Sequence, residues 1–190
     1  MEKRRDLSRL SVLIVEDSTH MRAILRSILS GLGVRQIFEA AEATDGLEKT
    51  IDRQPDLVLC DWAMQPVSGG EFIQFLRGEK DATLSTTPVI VVSAHSRKAN
   101  ILEARKLGIH GFVAKPVSPA VLYQRICNML AFQEAHGRTK GMFAATSWPT
   151  GGPVLDLTSP TLLGASGTRR APGAGTADAE DEPERGVAWC

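Results

Sequence analysis

Residues 56–70 read DLVLCDWAMQPVSGG, and their reading decides the fold. Leu57 to Cys60 is a short, unbroken apolar run flanked by acids. Too short for a helix and apolar on both faces, it fits a strand covered on two sides, as in a parallel sheet layered with helices. Asp61 ends the run, and the Pro and Gly of WAMQPVSGG keep the chain from continuing as a strand. Whether Asp61 only starts a turn or carries chemistry has to be settled from the rest of the chain.

Working outward, four similar runs appear: SVLIV (11–15), QIFEA (36–40), PVIVVS (88–93) and HGFVA (110–114). Helical patterns separate them. Met21, Ile24, Leu25, Ile28 and Leu29 share a face of residues 19–32, and Ala43 to Ile51 supplies a second helix. Phe72, Ile73, Phe75 and Leu76 mark residues 70–77, while Ile101, Leu102 and Leu107 mark 97–107. Val121, Leu122, Ile126 and Met129 mark 118–132. Gly31, Gly33 and Gly108 stand where helices should stop, and Ser118–Pro119 reads as an N-cap with proline at the first helical position. Strand and helix thus alternate five times, which predicts a doubly wound α/β fold with a five-stranded parallel sheet.

Composition bounds the function. The 22 basic and 22 acidic residues balance, so no net field draws the chain to nucleic acid or to an anionic membrane. Cys60, Cys127 and Cys190 are too scattered for a disulfide framework or a zinc site, and the first two read as small core residues. No apolar stretch approaches the roughly 20 residues of a membrane span, and SVLIV is too short for a signal peptide. A cytoplasmic protein is expected. Past residue 136 the character changes: residues 137–190 hold 9 Gly and 5 Pro, with apolar residues only in scraps. Such a segment cannot bury enough surface to offset its ordering entropy, so 137–190 is expected to be a low-complexity, disordered tail behind a domain at 8–132.

In an open parallel sheet, ligands bind beyond the carboxyl ends of the strands. Glu16 and Asp17 follow the first run, Asp61 the third, Ser93 ends the fourth, and Lys115 with Pro116 follows the fifth. Each has a plain reading alone: Asp17 or Asp61 as a helix cap, Ser93 as a turn former, Lys115 as a solvated surface group. Together they place three carboxylates, a hydroxyl and an amine on one rim. Crowded carboxylates repel unless a cation sits among them, and all-oxygen ligands suit a hard ion such as magnesium. A carboxylate, magnesium and an amine together suit phosphoryl transfer onto the carboxylate.

These residues resemble the receiver domain of two-component response regulators, in particular the single-domain CheY-like type. The resemblance runs from about Leu10 to Phe132 and rests on VLIVEDSTHMR, LVLCDWAMQPVSGGEF and VIVVSAHSRKANILEARKLGIHGFVAKPVS in that order. It implies a flavodoxin-like sheet of order 2-1-3-4-5, which spacing alone does not supply. By resemblance, Asp61 is the phosphoacceptor. Asp17 is a direct magnesium (Mg2+) ligand, Glu16 acts through bound water, and the Ala63 backbone carbonyl gives a further metal contact. Lys115 contacts the phosphoryl oxygens and Pro116 is the candidate cis-proline that aims it. Ser93 is the switch hydroxyl and Phe112 the switch aromatic. The implied partners are a sensor histidine kinase or a histidine phosphotransfer protein and a downstream protein target, read through the face of the fourth long helix, fifth strand and last helix. No nucleic-acid or membrane partner is expected, and no catalysis beyond the protein's own phosphorylation and dephosphorylation.

The chain departs from the family pattern in places. Proline is usual four residues after the phosphoacceptor; here Gln65 stands there and Pro66 follows. Phe112 lacks the hydroxyl a tyrosine would offer a partner. Ala63 and His95 occupy the positions that flank the attacking water, and are expected to tune hydrolysis of the phosphoryl group. Two other readings use the same residues. A haloacid-dehalogenase-type phosphohydrolase also has a strand-end Asp, but needs a second Asp two residues on, where Ala63 stands. A receiver-like scaffold without phosphorylation would have no use for Asp17, Asp61, Ser93 and Lys115 together. The tail could act only as a short linear motif, around SWP at 147–149, or as an inert linker.

Overall fold

In the computed structural model, residues 5–94 and 98–141 are described, all within one compact unit, Met1–Trp148. His95 and residues 142–190, including SWP, lie outside the described residues.

Strands and helices alternate as expected: β1 (Ser11–Val15), α1 (Thr19–Gly31), β2 (Gln36–Ala40), α2 (Ala43–Arg53), β3 (Leu57–Asp61) and α3 (Gly69–Gly78). A single helical turn, α4 (Ala82–Ser85), precedes β4 (Val89–Ser93), and α5 (Lys98–Lys106), β5 (Gly111–Ala114) and α6 (Pro119–His136) complete the unit. The five strands form one parallel sheet in the order β2-β1-β3-β4-β5. The three central strands are the three continuous apolar runs, buried at every residue; the edge strands β2 and β5 are only partly covered. Continuous apolarity therefore marked double coverage, as a parallel sheet demands.

Alternation along the strands divides the core in two. Val12, Ile14, Leu57, Leu59, Ile90, Val92 and Val113 pack with Leu25 and Leu29 of α1 and Leu122, Ile126 and Met129 of α6. Leu13, Val15, Val58, Cys60, Val89 and Val91 face the other way, toward Phe72, Ile73 and Leu76 of α3 and Ala104 of α5. Each fully buried Leu, Ile, Val or Phe contributes about 1.5–3 kcal/mol by removal from water. Cys60 belongs to this core, while Cys127 is only half-buried.

Helix ends follow local rules. Ser18 caps α1, its Oγ accepting from the Met21 N–H. Ser68 and Glu71 make a reciprocal capping box on α3. Asp81 caps the unanticipated turn α4 by accepting from the Thr83 and Leu84 amides. Some apolar residues on helices face water: Phe75 is 59% exposed, Ile51 48% and Leu102 44%. Four apolar residues within Phe72–Leu76 exceed what one helical face can bury, and Phe75 is the one left out. Past α6, Gly137–Gly141 lie against the body: Lys140 Nζ donates to Arg77 O (3.0 Å) and Thr139 O meets the His110 ring (3.2 Å).

Among the described residues no helix is long and apolar enough to cross a membrane.

Candidate functional site

β1 and β3 are neighbours, and the chain leaves them for opposite sides of the sheet, β2 beyond one and β4 beyond the other. That divergence opens a crevice at their carboxyl ends. Glu16 follows β1 and is buried, its N–H donating to Ala40 O (3.1 Å); Asp17 beside it is exposed. Asp61, the last residue of β3, is 6% exposed. Carboxylate oxygens of Glu16, Asp17 and Asp61 all lie within 4.8 Å of one another.

Neither acid suspected of capping a helix does so. Ser18 caps α1 in place of Asp17, and Ser68 caps α3, far along the loop from Asp61. That frees both carboxylates for the crevice. The approach of α3 to this loop depends on Gly69: its N–H donates to Trp62 O (3.1 Å), and a Cβ there would lie 2.0 Å from Asp61 O. No side chain fits between, so a glycine is required here for closeness rather than for backbone dihedrals. Gly70, next along, leaves room for the Trp62 ring.

Lys115 closes the site from β5. Its Nζ donates to Glu16 Oε2 (2.8 Å) and is 3.0 Å from Asp61 Oδ2. Its backbone is tied to the neighbouring strand, the Lys115 N–H donating to Ser93 O (2.9 Å). Burial alone would lower the lysine pKa, but the hydrogen bonds to Glu16 and Asp61 and their charges outweigh it and raise it. For Glu16, burial raises the pKa and repulsion from Asp61 adds to it, with the bond to Lys115 only partly offsetting both. The lysine has two carboxylate partners, whereas Glu16 shares its one ammonium with Asp61. The Cys60 thiol is pushed far up by burial beside the same acids, and so is inert.

Ser93, wholly buried, ends β4 one strand over, and Asp61 pairs in register with Val92. Phe112 on β5 is half-buried and packs against the core on the α3 side. Ala63 is exposed in the loop two residues after Asp61. The Gln65–Pro66 and Lys115–Pro116 peptide bonds are both cis. The structure thus gathers Glu16, Asp17 and Asp61 within 4.8 Å of one another and pairs Lys115 with Glu16 and Asp61, with Ser93 at the end of the adjoining strand. The loop length to Gly69 fits the family pattern, but the Ser68–Glu71 box was passed over in the sequence, although Ser-Gly-Gly-Glu is a visible capping signal.

Three oxygen donors of like charge, converging with one exposed to solvent, fit a hard divalent cation. Among the described residues the cluster consists of carboxylates alone, with no thiol or imidazole.

Comparison with known proteins places these features. The profile of the response regulator receiver domain matches residues 12–127. The chain is 32% identical over 117 residues to chemotaxis protein CheY of Pseudomonas aeruginosa, covering 62% of this chain and 93% of that one. It is 29% identical over 119 residues to chemotaxis protein CheY1 of Helicobacter pylori, covering 62% and 94%. A protein-glutamate methylesterase/protein-glutamine glutaminase of Myxococcus xanthus is 37% identical over 111 residues, 58% of this chain but only 31% of that protein. The chain thus spans about a third of that relative, whose esterase activity does not transfer with so partial a match. Among solved structures, CheY4 of Vibrio cholerae aligns with a TM-score of 0.58 at 23% identity, over 63% of this chain and 98% of that one. The receiver domain of Francisella response regulator 1452 aligns with a TM-score of 0.58 at 23% identity, over 65% and 98%. These structural likenesses speak to the fold.

Proposed function

We propose, from the premise that this chain belongs to the response regulator receiver family, that it accepts a phosphoryl group on Asp61 and passes the signal on by protein contact. The donor is a sensor histidine kinase or a histidine phosphotransfer protein, the recipient a downstream protein, and the setting cytoplasmic. The observation that carries the reading is the Asp61 carboxylate at a strand end, 3.0 Å from the Lys115 ammonium and converging with Glu16 and Asp17.

The roles follow from position. Asp61 Oδ attacks phosphorus as the bond to the donor nitrogen breaks. Asp17, Asp61 and the Ala63 carbonyl would hold magnesium, with Glu16 acting through water; bound there, the ion offsets charge on the transferring oxygens. Lys115 is the cation already at hand for a phosphoryl oxygen, once released from Glu16. Ser93 supplies a hydroxyl at the end of the adjoining strand, and Phe112 follows its movement. Phosphorylation replaces the single carboxylate charge of Asp61 with a phosphoryl group carrying about −1.5 to −2 charges and three acceptor oxygens, and Ser93 and Lys115 respond. The Lys115 N–H···Ser93 O bond joins β4 to β5, so their movement reaches the α5–β5–α6 face, where a partner reads it. Ala63 and His95 tune the rate at which water removes the phosphoryl group.

Incubation with acetyl phosphate and Mg2+ tests this by intact-mass measurement. The wild-type chain should gain one phosphoryl group and Asp61→Asn none. A wild-type chain that gains nothing favours the phosphate-free scaffold, and steady turnover of a phosphate ester would favour a phosphohydrolase.

A further inference from the structure

Arg22 occupies an unfavourable place for a cation, in the first turn of α1, where the helix dipole is positive. Its side chain folds back over the preceding loop and keeps 15% exposure. Nη1 donates to Glu16 O (2.7 Å) and to Asp17 O (3.2 Å), while Nη2 donates to Thr19 Oγ1 (3.2 Å). Nε lies 3.8 Å from Glu39 Oε2 on β2, and Glu39 also meets Arg26 at 3.2 Å. The two carbonyls gripped by one guanidinium nitrogen belong to the two residues whose carboxylates enter the crevice.

We propose that Arg22 is a positioning residue for the metal site: by clamping the Glu16 and Asp17 carbonyls it fixes the peptide planes that aim both carboxylates at Asp61. The inference rests on the magnesium reading above. A planar, forked donor suits the task, because it reaches both carbonyls and Thr19 from one rigid group; an ammonium is a single point donor. Ion-binding side chains depend on such outer partners for their direction. The Ser18 cap holds the helix end, and Glu39 anchors the guanidinium to β2, so the loop is fixed from both sides.

Two effects of Arg22 on a bound cation oppose one another, and this makes the proposal testable. Its charge repels the ion, so removing the charge alone would tighten binding. Its clamp orients ligands, so removing the clamp would loosen binding. The experiment titrates metal-free full-length protein with Mn2+, reading the free ion by electron paramagnetic resonance, alongside urea unfolding without metal. Arg22→Ala should weaken Mn2+ binding about 10-fold, and Arg22→Lys, which keeps the charge and one donor, should fall between it and wild type. Equal or tighter binding by Arg22→Ala overturns the proposal, as does a loss of stability with unchanged affinity. If Arg22→Ala does not fold, Arg22→Gln takes its place with the same expectations. A wild-type chain that binds no Mn2+ overturns the metal site itself and this inference with it. Normal wild-type binding with an indifferent Arg22→Ala overturns the inference alone.

Discussion

At the amino ends of the strands, Ser11 and Asp56 exchange hydrogen bonds and His110 bridges two backbone groups; at the carboxyl ends, Glu16 and Asp61 share one ammonium and Asp17 converges on them. The first pole is closed. Ser11 Oγ donates to Asp56 Oδ2 (2.7 Å), and the Asp56 N–H donates to Ser11 Oγ (3.0 Å). The His110 Nδ1 accepts from the Val89 N–H (3.3 Å), and its Nε2 faces Thr139 O (3.2 Å), so the neutral ring carries its proton on Nε2. Arg77 nearby donates to the carbonyls of Gly108 and Ser85. The second pole is open: three carboxylates converge, and the one lysine meets two of them. A buried polar cluster whose donors and acceptors match is structure, whereas one with surplus charge of a single sign requires something from outside.

That contrast can be broken most forcefully at Lys115. Lys115→Met leaves Glu16 and Asp61 buried without their cation and should cost about 3 kcal/mol or more at pH 7 by urea unfolding. Glu16, whose pKa burial already raises, would then lie further above its value in the unfolded chain. Such a group stabilises the fold below its unfolded value and loses that contribution as pH rises through the folded one, so the deficit should shrink toward pH 5. A deficit independent of pH would mean that the lysine acts by packing alone.

His110 tests the closed pole. Burial first, and then the charge of Arg77, push its pKa down from 6.5 to about 3. A base depressed in the folded state stabilises the fold above its unfolded pKa and loses that stability as pH falls toward the folded value. His110→Leu should cost about 2 kcal/mol at neutral pH, since the Val89 N–H loses its acceptor. It should also flatten the fall in stability between pH 6.5 and 3, measured by urea midpoints. An acid limb as steep as in wild type would show that the ring is protonated in place.

The smallest effect is expected at Ser11. Ser11→Ala removes two hydrogen bonds of the clasp but leaves Asp56 accepting from the Ser11 N–H (3.0 Å), and should cost about 1 kcal/mol. The aspartyl phosphorylation of such a variant should match wild type, because the clasp sits at the opposite end of the sheet from Asp61. Slower phosphorylation would mean that the two poles are coupled.

Much of this was legible beforehand, and for identifiable reasons. SVLIV, LVLC and VIVV stood out because central strands of a parallel sheet have no polar face. QIFEA was a weaker signal because β2 is an edge. Phe75 and Leu102 misled because helical spacing shows which residues are apolar, not how wide the buried face is. The turn α4 was missed because four residues carry no period, although Asp81 was a readable cap. His110 gave no hint: its partner Thr139 is 29 residues away, and Arg77 reaches Gly108 across 31.

By itself the sequence determined the alternation of strands and helices, which apolar runs are covered on both faces, and which acids stand at the rim, because these depend on local periodicity and on where apolar runs end. The tertiary structure alone decided the pairings: Lys115 shared between Glu16 and Asp61, Arg22 turned back onto two carbonyls, and His110 holding its proton on one nitrogen. Such pairings depend on groups brought together from distant parts of the chain by packing. No local pattern of residues encodes a distance across the sheet.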